Sequence, residues 1–223
     1  SGHVWRGNGA DAIGVGGTVA GELTLSGQPE GVEYRLAEAA SVAAGGTLSL
    51  ALNAPLRLDG DLVVAGTLSL PPGGGLNAAA GGRVVIAEGG TLSARGTRVD
   101  LVTLQAREGE APNPGGWHGV VVEPGGILDV ENAVFRDGGQ GGEGANLVIN
   151  ADFEPVRGCA FDDSGAAGVI LNGSGFLLNA TWLGNAAESV RITGGAGRLT
   201  GVTSDEATPA LVFDPVELCA DWE

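Results

Sequence analysis

Gly46-Thr47-Leu48-Ser49-Leu50 returns as Gly66-Thr67-Leu68-Ser69-Leu70 and again as Gly90-Thr91-Leu92-Ser93-Ala94, at spacings of 20 and 24 residues. Each copy alternates, with Leu48 and Leu50 on one face and Thr47 and Ser49 on the other, as a strand with one buried face requires. Between the copies lie Leu56-Arg57-Leu58, Leu62-Val63-Val64 and Val84-Val85-Ile86, separated by Gly, Pro, Asn or Asp. These read as short strands joined by tight corners.

The second half repeats less literally. Asn132-Ala133-Val134-Phe135, Gly158-Cys159-Ala160-Phe161 and Asn179-Ala180-Thr181-Trp182 follow one another at steps of 26 and 21 residues. Leu147-Val148-Ile149, Gly168-Val169-Ile170-Leu171, Val190-Arg191-Ile192 and a last Leu211-Val212-Phe213 fall between and after them. A period near twenty residues with several short strands has no room for the crossover helix of a βαβ unit. It suits one coil of an all-β parallel solenoid, in which like residues stack on like at ~4.8 Å per coil. Leu48, Leu68 and Leu92 are expected to form one such ladder. About nine or ten coils would make a rod of roughly 45 Å. Residues 1–28 are expected to hold an N-terminal cap and the first coil, and 29–223 one continuous β-helix. Within it, Glu33 to Ala43 reads as a strand or as a short capping helix, because Val32, Leu36, Ala39 and Ala43 also fall near one helical face.

Composition agrees. The 223 residues include 42 Gly and 10 Pro, against 4% aromatic and 17% charged residues. Repeated corners need positive φ, which accounts for the glycine. The net charge is −16, and all eleven basic residues are Arg. Such a field repels phosphate backbones and anionic lipid, so nucleic acid and membrane-surface partners are not expected. No apolar run is long enough for a membrane span. The chain has no Met and begins at Ser1, so it is expected to be a mature or excised extracytoplasmic segment.

Gly31-Val32-Glu33-Tyr34-Arg35-Leu36, Val85-Ile86-Ala87-Glu88-Gly89-Gly90-Thr91-Leu92-Ser93-Ala94-Arg95-Gly96 and Gly116-Trp117-His118-Gly119-Val120-Val121 follow in an order that resembles bacterial parallel β-helix repeat proteins of the pectin-lyase-like superfamily. The resemblance covers most of the chain from about residue 30 and implies a right-handed coil. It implies little about activity, because that scaffold carries lyases, hydrolases, adhesins and stalks. Polygalacturonase-type members would need an Asp-Asp pair, for which Asp162-Asp163 stands, and an Arg-Ile-Lys element, which Val190-Arg191-Ile192-Thr193 matches only in part. Their Gly-His-Gly element has no counterpart, since the two histidines are His3 and His118.

Calcium-dependent lyase chemistry would place carboxylates on Ca²⁺ beside an Arg base. Asp152, Glu154, Arg157, Asp162 and Asp163 fall within twelve residues of sequence and are the calcium or ligand candidates; as corner residues they would merely solvate turns. Gly141-Gly142-Glu143-Gly144-Ala145-Asn146 is a single degenerate copy of a calcium nonapeptide and reads as a glycine loop. Trp117, Trp182 and Trp222 are candidate sugar platforms, Trp182 more naturally a core stack. Thr47/Ser49, Thr67/Ser69 and Thr91/Ser93 form an outward hydroxyl ladder of the kind found on ice-binding solenoids, or simply a good strand surface. Cys159 and Cys219, read as two or three coils apart, are expected to be free apolar residues. The expectation from all this is a non-catalytic scaffold or adhesion module at the bacterial cell surface, or secreted. Surface polysaccharide or other envelope proteins would be its partners. A polysaccharide-acting or carbohydrate-binding β-helix and an ice-binding solenoid are the alternatives.

Overall fold

The computed structural model describes residues 12–106, 114–140, 144–204 and 211–213. Among them every regular element is a β-strand, every strand pairing is parallel, and no helix occurs that could cross a membrane. The N-terminal residues 1–11, Cys219, Trp222, His3 and residues 141–143 of the glycine loop lie outside the described residues.

One turn consists of three strands. Leu56–Leu58 makes the first side, Asp61–Val64 the second and Thr67–Leu70 the third; Gly75–Ala78, Arg83–Ile86 and Thr91–Arg95 repeat the pattern one turn on. Strands of the third side form an eight-stranded sheet, while the first and second sides merge into one of sixteen strands. The merger has a simple cause. Glu33–Val42 stays extended around the corner, pairing Tyr34–Leu36 with Leu56–Leu58 and Ala40–Val42 with Leu62–Val64. It is therefore a strand and not a capping helix: Tyr34 and Leu36 alternate inward, and a helix would leave the backbone of both flanking turns unpaired.

The described residues form about eight turns of solenoid, against nine or ten expected for the whole chain; Thr203–Ser204 and Leu211–Phe213 add two further strands on the first and second sides. One turn consumes more chain than the others. From Thr91 to Ile127 one turn takes 36 residues, where Thr47 to Thr67 takes 20.

Inward residues stack as predicted. Leu48, Leu68 and Leu92 are in register and between 0 and 2% exposed. On the first side the ladder runs Tyr34, Leu56, Leu76, Leu104, Phe135, Phe161, Trp182. Its last three rings stack at centroid separations of 5.3 and 6.0 Å and interplanar angles of 16° and 24°, which adds to simple burial. Trp182 is thus core. Trp117 is fully buried as well, its indole N–H donating to the Arg136 carbonyl at 2.8 Å; neither ring is a sugar platform. Cys159 is buried and its thiol is pushed up to about 12 by that burial.

Corners repeat too. Asn132, Gly158, Asn179 and Gly201 occupy one corner position on four successive turns, with φ of 49°, 61°, 53° and 65°. Gly visits that left-handed region at no cost, and Asn and Asp more readily than other residues.

Candidate functional site

On the third side the outward hydroxyls lie in register. Thr47, Thr67 and Thr91 form one ladder; Thr24, Ser49, Ser69 and Ser93 form the next. Rungs are ~4.8 Å apart and the two ladders ~7 Å apart. Thr24 extends the sequence-derived set by one rung, a member hidden because Glu22-Leu23-Thr24-Leu25 lacks the Gly-Thr opening. Ile127 and Asp129 end the array on the next turn, where the Ser93 hydroxyl donates to Asp129 at 3.2 Å.

The acidic candidates do not form one site. Asp152 and Glu154 sit on the corner that enters the third side. Asp152 accepts from the Ser174 backbone N–H at 2.8 Å, and Glu154 is exposed. Asp162 ends the first-side strand Ala160–Asp162, two strands on, and Asp163 opens the corner between the first and second sides. There they meet Arg136, whose Nη2 is 3.5 Å from Asp162 and whose Nε is 3.9 Å from Asp163. Sequence proximity misleads here because a turn carries nearby residues to different edges of the rod. Among the described residues no three carboxylates, imidazoles or thiols converge to hold a metal ion, so the calcium expectation finds no assembled site in them.

Sequence reasoning missed Asp137. It stands one residue beyond Ala133–Arg136, as Asp163 stands one residue beyond Ala160–Asp162. Burial first, then the neighbouring Asp163 charge, lifts its carboxyl to about 6. The matching Phe-Arg-Asp-Gly and Phe-Asp-Asp-Ser segments were the available signal.

Several other outer charges are tied turn to turn. Asp59 accepts from both Arg35 and Arg57. Its burial raises the carboxyl, but these two guanidinium hydrogen bonds outweigh that and hold it below the ordinary value. Arg83 donates to Asp61 at 2.5 Å, and Arg95 to Asp129 at 2.6 Å. The Arg95 hydrogen bond holds Asp129 low against its partial burial. Amides do the same: Gln105 donates to Asn77 at 3.1 Å, and Asn172 to Asn150 at 2.6 Å. A shallow cleft of 580 Å³ lies at the corner between the third and first sides, bordered by Gln28, Asn53, Asn77 and Thr103. His118 is exposed, with its backbone N–H on the Gly82 carbonyl.

No family model matches the chain, and neither a curated protein nor a solved structure matches it.

Proposed function

We propose that this chain is a non-catalytic β-helix scaffold, an adhesion or stalk module of a bacterial surface or secreted protein, and that its coil is right-handed, as parallel crossovers nearly always are. One observation carries the reading. Several charged and amide side chains on the outer faces bond to their neighbours in adjacent turns, as in Arg35–Asp59, Arg83–Asp61, Arg95–Asp129 and Asn150–Asn172. Groups used in this way stiffen a rod along its axis instead of converging on a bond to be broken. Partners would meet the long lateral faces, envelope polysaccharide or protein being the chemistry available outside a cell. The test is incubation with a panel of acidic and neutral polysaccharides, with and without Ca²⁺, scored for both retention and turnover. Retention or indifference without turnover is expected. Turnover lost on Asp162→Ala or Asp163→Ala would make the chain a polysaccharide-acting enzyme.

A second reading has its own observation. The paired ladders Thr47/Thr67/Thr91 and Thr24/Ser49/Ser69/Ser93 place hydroxyls at two regular spacings on one sheet, a lattice that can order water as ice does. It predicts thermal hysteresis that Thr67→Tyr abolishes, since a tyrosine in mid-array breaks the flat surface. Unchanged freezing behaviour of the wild-type chain removes it.

A further inference from the structure

The corner between the first and second sides stacks Asp137 on Asp163 in successive turns, with Gly184 next in line. All three have left-handed backbones, φ 61°, 51° and 67°. Successive turns are ~4.8 Å apart along a parallel ladder, so two like charges face each other at close range. Asp137 is 5% exposed, and its Oδ1 is buried without a hydrogen-bond partner. The charged groups acting on it are Asp163, Arg136 and Asp162. Arg136 is shared between the other two carboxylates, at 3.5 and 3.9 Å. With Asp137 and Asp163 both ionised, the Asp163 charge acts on a buried Asp137 oxygen that has no hydrogen-bond partner.

We infer that Asp137 and Asp163 form a proton-sharing carboxyl pair that takes up one proton on mild acidification and tightens this corner of the solenoid. A proton on the pair converts carboxylate repulsion into an O–H donor facing an acceptor. The direction of the pH effect follows. Burial and the Asp163 charge lift Asp137 to about 6 in the folded chain, above the ordinary carboxylate value near 4, so between these values the folded state holds more protons than the unfolded one. Stability therefore rises as pH falls through about 6, and the destabilising ionised form is present above it. Asp59 and Asp129, whose carboxyls are held low, act only below about pH 4.

The experiment measures thermal midpoints at pH 7.5 and 5.0 in EDTA for the wild type, Asp137→Asn and Asp163→Asn, together with a carbon-13 NMR titration of the wild-type Asp137 carboxyl. Asn keeps the left-handed corner accessible. The wild-type midpoint is expected to rise by about 3–6 °C on acidification, given ~2–4 °C per kcal/mol for a chain of this size. Asp137→Asn should be flat across the window, and Asp163→Asn should lower the Asp137 titration toward the ordinary carboxylate range. An Asp137 carboxyl titrating near 4 in the wild type overturns the inference, and that measurement needs no variant to fold. So does an equal rise in Asp137→Asn. A midpoint at pH 7.5 raised by added calcium in the wild type, and not in Asp137→Asn, also overturns it by making the pair a cation site.

Discussion

Asp59 and Asp137 show how one residue type takes opposite roles within the same rod. Asp59 sits between two guanidinium groups, Asp137 against two carboxylates. For Asp59 the folded value is depressed, so its contribution is complete above the unfolded value near 4 and disappears as pH falls through the folded one. Asp59→Asn is expected to cost about 1–2 kcal/mol at pH 7, because it leaves Arg35 without this carboxylate and Arg57 with only the longer 3.8 Å contact to Glu33. The difference from wild type should shrink toward zero by pH 2.5, which urea denaturation at the two pH values would measure. A constant difference would mean that packing rather than charge is lost. Asp59 was legible as a corner residue, and Asp152 and Asp163 as polar ones. Which acids meet arginine and which meet each other depends on register across turns of unequal length, and no single stretch of sequence encodes that.

At the level of the strand and its corners, two constraints operate together: inward residues must match the rung below, and corner backbones must come close. Gly66 illustrates the second. A Cβ there would lie 2.2 Å from the Gly46 carbonyl oxygen and 2.4 Å from that of Ala43, both backbone atoms of the preceding turn. Neither can move without parting the ladder between Thr47–Leu50 and Thr67–Leu70. Gly66→Ala is therefore expected to destabilise by about 1–3 kcal/mol, the usual cost of overpacking, whereas Gly14→Ala, with open space around its Cβ position, should be near neutral. Denaturation midpoints of the two variants check this. The Gly-Thr-Leu repeats made this part of the architecture readable, since both the glycine and the leucine recur at fixed offsets. The aromatic ladder was readable only as a pattern of Phe and Trp. That it continues the Leu56, Leu76, Leu104 stack follows from pairing across irregular corners.

For the whole molecule, stability is a sum over neighbouring turns, and turns are interchangeable where their lengths agree. Deleting residues 46–65 brings Gly66 into the place of Gly46 and removes one turn. The shortened chain is expected to keep its β-type circular dichroism and cooperative unfolding, with a long axis shorter by ~4.8 Å in solution scattering. Deleting residues 46–55 alone takes half a turn, leaves Tyr34–Leu36 out of phase with Leu56–Leu58, and should abolish cooperative unfolding. Equal behaviour of the two deletions would refute the stacking of interchangeable turns.

Alternation and recurrence in the sequence were sufficient to determine that this backbone coils and which side chains face inward, because a period-two strand repeated every twenty or so residues has few other ways to bury its leucines. The tertiary structure alone decided which outer side chains become neighbours. Corners vary from a single bend in Glu33–Val42 to the long stretch between Val102–Ala106 and Gly119–Val122. Asp152 and Asp162 fall at different corners of one turn, and register sets Asp137 over Asp163. Surface chemistry on a solenoid is made between turns, and the distance between turns in space bears no fixed relation to their distance along the chain.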